Sequence, residues 1–510
     1  MDQPSHATIA PPKGPRSAAG LNSAIVGAGF GGIAVAVRLA RQGHRVTVFE
    51  ANAVPGGKAA EWRIGPYRFD MGPTILTMPA YVDELFALCG EDPRDHFDYT
   101  QLDPSSQFLF EDGTVVRMHA DAERLADEFA ERTTAGRASV LEFLRRSKVK
   151  RELTDEVFLQ RSLHRIRNYL NGPTLRGVLQ FHKVEAFTSM ARANATLFRD
   201  PKAAAIFNQY ASYHGADPYA APATLNLIAY YELALGSYSA KGGMHAVVRA
   251  LVALAQRQGV EFRFNTRVER IVVERGEVRG VEVNNERSGF DLVVSNADAH
   301  STYHRLLPDQ RRPKRTLDQP RSSSVIVFYW GMDRTYPALQ LNNMLMSNDG
   351  RAEYDHIFNK QSLFEDPSIY LHVSVKAHPA DAPPGHENWF VMVSVPHNTG
   401  QDWDSLIRTT RQRVIAKLER MLRAPVGTHI TVEHLLDPRS VEALTSSAFG
   451  AIFGSSSSGV FASFLRHPNF SRRIKGLYFC GGSVHPGPSI PLCLLSAKIT
   501  ADLIAERERK

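Results

Sequence analysis

The chain has 510 residues, more than one ordinary hydrophobic core absorbs, so two lobes are expected. Its 43% hydrophobic and 22% charged content is that of a folded protein, soluble or bound at a membrane surface, and no apolar run approaches the ~18 residues that cross a bilayer. Three cysteines (Cys89, Cys480, Cys493) exclude a disulfide framework and have no metal-ligand spacing, which favours a cytoplasmic chain with no metal site. The net charge of +7 clusters near 145–167 and 311–315, without a nucleic-acid motif. It reads either as attraction to anionic lipid or as an ordinary solvated basic face.

Residues 1–22 are rich in Pro, Ala, Gly and Ser and read as a disordered extension, not a signal peptide. Ala24–Ile25–Val26 then has the short apolar character of a buried strand. Gly27, Gly29 and Gly32 follow as G-x-G-x-x-G. The first permits a tight turn, the second lets backbone approach a pyrophosphate, and the third lets a helix pack closely on the sheet. The phosphates would sit on free N–H groups at the positive end of a helix starting near Phe30. Val46–Phe49 is the next strand, and Glu50 ends it about 20 residues past the glycines, where a carboxylate can take ribose hydroxyls. Strand, turn, helix and acid together point to an adenine dinucleotide, and an acid at position 50 argues against a 2′-phosphate.

Pro55–Gly56–Gly57–Lys58 and Gly65–Pro73 are glycine- and proline-rich loops. Gly56 and Gly57 could admit further backbone approach to a cofactor, and Lys58 either meets a phosphate or packs on an exposed edge. From Val26 to Pro73 the chain resembles the amino-terminal FAD signature of the amine-oxidase and carotenoid-desaturase superfamily of flavoproteins: dinucleotide turn, strand-end Glu, paired glycines, then F-D-x-G-P.

Between Tyr81 and Ala240 helical patterns dominate (Val82–Cys89, Ala122–Thr133), around short extended pieces at Phe108–Phe110 and Val115–Met118. Leu159, Leu163, Ile166 and Leu170 recur at helical spacing with Arg161 and Arg165 on other faces, and Asn171–Gly172–Pro173 stops the pattern. Such a helix lies on a membrane surface or turns its apolar face to a lobe core. No nucleophile–base or metal constellation stands out here. Lys241–Met244, a helix from Ala246 to Gln258, and strands at Glu261–Phe264, Val268–Val273, Val278–Val283 and Leu292–Ser295 return to the character of the first segment. The nucleotide-binding sheet is therefore expected to be discontinuous in sequence. The superfamily resemblance agrees, through G-G-M, N-x-x-V and V-S-N-A-D in that order, and implies Val268 at the adenine; Ala240 replaces the proline usual there. Strands at Ser324–Trp330, Ser368–Val375, Trp389–Val395 and Ile430–Leu435, with a helix from Ser405 to Leu422, suggest a second sheet that floors a substrate cavity beneath the 145–235 helices. The run Gly454–Gly459 reads as a cleft loop or a connector.

Gly476–Pro491 repeats the pattern of strand, glycine turn and helix, and the helix runs from Leu492 to Arg507. A simple NAD dehydrogenase has no use for this second motif. A flavoprotein does, because the ring system must be gripped beyond the pyrophosphate; Gly482, Ile490 and Pro491 would lie where negative charge develops on reduced flavin. FAD is thus preferred over NAD. The segment also resembles the ending of bacterial carotenoid (phytoene-type) desaturases, through Gly481, His485, Pro486, Gly487, Ile490, Pro491, Ser496, Ala497 and Lys498. With Phe449–Ser456 and Phe464–Asn469, the resemblance covers nearly the whole chain after residue 22. The wording is closest to desaturases of hydroxylated or methoxylated acyclic carotenoids, which introduce the 3,4 double bond. Ser489 departs from a common glycine and would narrow the cleft.

The expected fold is α/β with α+β insertions: a Rossmann-like FAD-binding domain (23–100, 241–300, 466–510), a helical substrate or membrane lobe (101–240), and a sheet-and-helix substrate domain (301–465). The resemblance implies an FAD-dependent oxidoreductase acting on CH–CH bonds, with hydride passing to flavin N5 and a proton lost. An adjoining polyene delocalises the developing charge, so the protein's tasks are orientation and exclusion of water. His485 is the first candidate for proton acceptor, or else a turn histidine; Asp217 and Glu232 rank below it. Expected partners are a carotenoid polyene, a quinone or oxygen as electron acceptor, and the inner face of the cytoplasmic membrane, with no nucleic acid. Alternatives are phytoene desaturation, another flavoenzyme of this fold (carotenoid isomerase, saturase, amine oxidase), or a non-enzymatic prenyl-lipid escort, against which the intact glycine turn and Glu50 argue.

Overall fold

The computed structural model describes residues 20–155, 159–165, 181–459, 462 and 466–508. Its first layer is a five-stranded parallel sheet. Strand β1 (Asn22–Val26) lies at the centre, between β2 (Arg45–Phe49) and Leu292–Ser295, with Glu261–Arg263 and Leu477–Phe479 at the edges. The strands come from three separated stretches of chain. Their apolar runs suit this position, because both sheet faces are covered. On one face lies helix α1 (Phe30–Arg41), packed between Met244–Arg257 and the carboxyl-terminal helix Ile490–Glu508. Its residues are buried from Phe30 through Leu39, which explains a sequence too uniformly apolar to show a polar face. On the other face Ala24, Val26 and Val293 meet Ile271, Val281, Tyr303 and Phe479 beneath a three-stranded antiparallel ribbon, Arg270–Glu274, Glu277–Val283 and Glu286–Gly289.

The second sheet has seven strands, in the order Ile430–Leu436, Ser324–Met332, Glu387–Val395, Ile369–Val373, Asn342–Leu345, Gln107–Leu109, Val115–Arg117. It is antiparallel except where Asn342–Leu345 runs parallel to Gln107–Leu109. Period-two alternation sorts its central strand. Ile326, Phe328, Trp330 and Met332 pack in the core shared with helix Trp403–Leu422, whereas Val325, Val327 and Tyr329 face the opposite side. The short extended pieces expected at 108–118 within the helical region belong to this sheet, through the parallel pairing of Gln107–Leu109 with Asn342–Leu345.

The helical region is built from Ala122–Arg132, Arg137–Thr154, Met190–Phe198, Pro201–Gln209 and Leu227–Leu233. Asp121, Ser189 and Asp200 cap three of these through side-chain bonds to backbone N–H groups. An aromatic stack holds them together: Phe207 lies 4.1 Å from Phe143 and 4.6 Å from Phe198, ring centre to ring centre. The amphipathic helix expected from Leu159 to Leu170 is corrected in its first half: helix Arg137–Thr154 ends, and 160–165 form turns, with Leu163 buried. Its second half lies outside the described residues, as do 1–19 and 463–465.

Candidate functional site

The cofactor cradle begins where β1 ends. Gly27 turns the chain at φ +99°, with its N–H on the Phe49 carbonyl at 2.8 Å. Gly29 is the N-cap residue of α1; no side chain caps the helix and its first turn carries no acid, so its positive end is left to face the cavity. Gly32 lies behind this turn. A Cβ there would stand 2.0 Å from the Gly27 carbonyl oxygen, so the third glycine serves helix–strand packing. Asn296, from V-S-N-A-D, wedges between the two glycine turns: a Cβ on Gly29 would meet its Oδ1 at 2.8 Å, and a Cβ on Gly481 its Nδ2 at 2.4 Å.

Glu50 is 5% exposed. Its Oε2 accepts from the Ala28 N–H at 2.8 Å, and its Oε1 from the backbone N–H and Nδ2 of Asn52 at 2.9 and 2.8 Å. These bonds aim the carboxylate and leave a lone pair on Oε2 for a hydroxyl donor. Val268, with Arg267 and Glu269, lines the same end of the cavity. Gly57 lines it further along at φ +55°, after Gly56 has bonded back to the Ala28 carbonyl. Lys58 donates from Nζ to the Ile452 carbonyl at 2.6 Å. It is enclosed by protein yet keeps accessible surface, because it borders the cavity; burial lowers its pKa, opposed by Asp298 and Cys493.

At the other end Gly482, Ile490 and Pro491 line the cavity, with Ser483, Ser489 and Cys493 beside them. Ser489 sits at φ +132°, a region that favours glycine, and its Oγ accepts from the Leu492 N–H at 3.3 Å at the start of the carboxyl-terminal helix. Beneath this turn the buried Arg466 guanidinium donates to the carbonyls of Phe453 and Ser455 and to Ser457 Oγ. Burial lowers its pKa to about 10. Gly454, from the glycine–serine run, also lines the cavity, so that run is a cleft loop. An uncapped helix end beside a glycine turn, a carboxylate pre-aimed by that turn's own backbone, and a second glycine turn opening a helix fit FAD. Gly27, Gly29, Glu50 and Gly57 would hold its adenosine and pyrophosphate; Gly482, Ile490 and Pro491 would hold its ring end.

The cavity, of about 740 Å³, continues past the cradle. Its floor is the second sheet, through Val325, Val327, Phe390 and Met392, and Tyr213 and Met344 bound it. Thr74 and Tyr370 add hydroxyls, bonded to each other at 2.6 Å. Tyr213 and Tyr370 lay outside the sequence reading; they carry no motif and depend on sheet register and a 3₁₀ turn (Tyr210–His214).

His485 is placed differently from its expected role. It is 1% exposed and absent from the cavity lining; its Nε2 lies 2.9 Å from the Arg161 carbonyl, and its own carbonyl accepts from Asn469 Nδ2 and Ser496 Oγ. These contacts make it a bracket for the Pro486–Gly487 turn. Asp217 also lies off the cavity, its Oδ1 turned to the Tyr219 N–H. Glu232 sits one layer behind Tyr213, and burial raises its pKa to about 7. Burial likewise lowers His214 and His372 to about 3 and raises Cys493 to about 11, leaving all three neutral. Among the described residues no group could hold a metal ion, and no helix is long and apolar enough to cross a membrane.

Residues 30–505 match the model of the flavin containing amine oxidoreductase family. A 1-hydroxycarotenoid 3,4-desaturase of Flavobacterium sp. (strain P99-3) is 42% identical over 480 residues, covering 94% of this chain and 98% of the relative. A zeta-carotene-forming phytoene desaturase of Myxococcus xanthus is 31% identical over 490 residues, covering 95% and 94%. Among solved structures, cyclohexylamine oxidase from Brevibacterium oxydans superposes with a TM-score of 0.60 at 16% identity, over 96% of this chain and 100% of that one, which shows a shared fold. The chain belongs to the flavin containing amine oxidoreductase family, among its carotenoid desaturases, and is an FAD-dependent oxidoreductase.

Proposed function

We propose that this carotenoid desaturase introduces the 3,4 double bond into an acyclic carotenoid bearing a 1-hydroxy or methoxy group. The observation that carries the reading is the single cavity that joins the cofactor cradle to the apolar floor of the second sheet. The relative from Flavobacterium, named for that reaction and matched end to end, supports the choice of substrate. FAD, when bound, supplies the hydride acceptor. The chain's residues supply position: Val325, Val327, Phe390 and Met392 present a continuous apolar surface on which a rigid polyene is held and water excluded. The histidines near the cavity stay neutral, and charge developing on the substrate is spread along its own conjugated bonds.

The cofactor unit comprises residues 23–100, 241–300 and 466–510 in this reading, with 101–240 and 301–465 enclosing the substrate. The protein works at the inner face of the cytoplasmic membrane, where its substrate partitions, and passes electrons to a quinone or to oxygen; the basic charge and the apolar cavity support that placement. Incubation of FAD-loaded protein and liposomes separately with phytoene, neurosporene and 1-hydroxyneurosporene tests the substrate. New 3,4 unsaturation in the hydroxylated compound is expected, and conversion of phytoene alone would overturn the reading.

A further inference from the structure

The wall of the cavity is not uniformly apolar beyond the cofactor cradle. Thr74, Tyr213 and Tyr370 all line it. The Tyr370 hydroxyl donates to Asn342 Oδ1 at 2.8 Å and lies 2.6 Å from Thr74 Oγ1. Asn342 is itself fixed by His372 Nδ1, 2.7 Å from its Oδ1, and by its Nδ2 on the Ser105 carbonyl at 2.9 Å. This network locks the Tyr370 ring and leaves its oxygen a lone pair beside the cavity.

Behind Tyr213 lies Glu232, 3% exposed. The Tyr210 hydroxyl reaches its Oε1 at 3.4 Å, a weak contact, and its Oε2 has no partner at hydrogen-bond distance. The Tyr213 and Ser105 hydroxyls lie near enough to favour its charged form, though neither makes a well-formed hydrogen bond to Oε2. Glu232 also acts electrostatically on both Tyr213 and Tyr370, so the three groups converge on one patch. Burying a carboxyl with one oxygen unpaired is unfavourable, and a hydrocarbon ligand offers nothing to offset it. A ligand with an oxygen of its own does. Its hydroxyl can donate to the Tyr213 or Tyr370 oxygen, so that the Tyr213 O–H stays turned to Glu232 and the network is completed.

We propose that Tyr213 and Tyr370 form an alcohol-reading subsite for an oxygen carried near the reacting end of the polyene, with Glu232 as the positioning residue behind Tyr213. The inference rests on the hydroxylated-substrate reading above and deepens it. The position agrees with that chemistry. The 1-oxygen is only three bonds from C3, so the groups that read it belong beside the cofactor end of the cavity, where Thr74 follows directly on the Gly72–Pro73 turn. The carbon at Gly72 is held there by close packing, since a Cβ on it would lie 2.3 Å from the Lys58 carbonyl oxygen.

The test is equilibrium binding to the FAD-loaded enzyme, followed by the polyene absorbance shift, of neurosporene and 1-hydroxyneurosporene presented in the same vesicles. The wild-type enzyme is expected to bind the hydroxylated compound about tenfold or more tightly. Tyr213→Phe should bring that ratio close to one, as should Glu232→Leu, whereas Glu232→Gln, which still offers a hydrogen-bonding head, should restore part of it. Tyr370→Phe provides a second route should Tyr213→Phe fail to fold, as judged by flavin uptake. A wild-type ratio near one overturns the proposal, and so does a ratio that survives the folded tyrosine variants. Turnover is assayed separately on the same samples: binding selectivity without desaturation would refute the desaturase reading alone, and desaturation without selectivity would refute the subsite alone.

Discussion

The carboxylate of Asp70 accepts from the backbone N–H of Met244 at 3.0 Å, across 174 residues of sequence, and so anchors the start of helix Met244–Arg257. The same Oδ1 takes Arg68 Nη2 at 2.6 Å, while the other arms of that guanidinium reach Asp381 Oδ2 and Glu61 Oε2, both at 3.0 Å. Two motifs that look unrelated in the sequence, F-D-x-G-P and G-G-M, are thus two sides of one buried ionic junction. The glycine of the second is explained by it: a Cβ on Gly243 would stand 1.7 Å from Arg68 Nη2.

Replacement of Arg68 by alanine leaves Asp70 and Asp381 buried without their shared cation. Such losses destabilise by about 3–5 kcal/mol. Thermal or urea unfolding of Arg68→Ala should show the deficit, and retention of wild-type stability would mean that the junction is better hydrated than its burial indicates.

Glu232 contributes a pH dependence of known sign. Its folded pKa, about 7, lies above the ordinary 4.5 of a free glutamate, so the folded state binds its proton more tightly than the unfolded state does. Any such carboxyl leaves stability undiminished below pH 4.5 and lowers it progressively as pH rises to 7, by about 3 kcal/mol in total. Glu232→Gln should remove this component. The difference in unfolding free energy between the two proteins, followed from pH 4.5 to 7.5, should move in the variant's favour as pH rises; a flat difference would place the native pKa near 4.5.

The two glycines of the first turn should fail differently. In Gly32→Ala the new methyl meets the Gly27 carbonyl at 2.0 Å, backbone against backbone, and the strand–helix junction must open. Loss of soluble folded protein is expected. In Gly29→Ala the contact is with the Asn296 side chain at 2.8 Å, which can turn aside into the cradle. That variant should fold, with native circular dichroism, but take up FAD with affinity lowered by about tenfold or more.

Ser489 stores strain at φ +132°, and a non-glycine residue in such a region costs about 1–3 kcal/mol. Ser489→Gly also removes the Oγ contact to Leu492 and frees the unfolded chain, which offset part of the gain. The net expectation is a small rise in melting temperature together with faster exchange of bound flavin, measured by dilution into apoprotein.

His485 provides a check on the site itself. A general base contributes about 10² to 10⁴ in rate. Because the ring is turned to the Arg161 carbonyl and away from the cavity, His485→Gln should change turnover by far less, with any loss traced to stability.

What was legible in the sequence was whatever repeats a local rule. The glycine turns, Glu50 and the strand–turn–helix ending occupy the positions their spacing implies, because each is set by contacts within about 30 residues. The apolar floor was legible as strands but not as a surface, since alternation alone does not say which face of Ser324–Met332 meets a cavity. Tyr213 and Tyr370 were hidden for the same reason, and Glu232 stood out only as a candidate proton acceptor: their meeting depends on the register of Ile369–Val373 with its neighbours and on a turn packed from the helical region. His485 belongs to the motif at the flavin end in sequence, and no local pattern shows that its ring turns to the Arg161 carbonyl and away from the cavity lining.

The order of strands in the first sheet bears on how the protein is made. Its centre, β1, emerges from the ribosome first, but the edge strand Leu477–Phe479 and the glycine turn after it follow more than 400 residues later. Until they do, α1 lacks the helix Ile490–Glu508 that covers it, and its apolar surface from Phe30 to Val37 stays open. Domains completed in chain order escape that exposure during synthesis. This one holds an unfinished sheet throughout, so a chain stopped anywhere short of residue 493 can neither close around its cofactor nor cover α1.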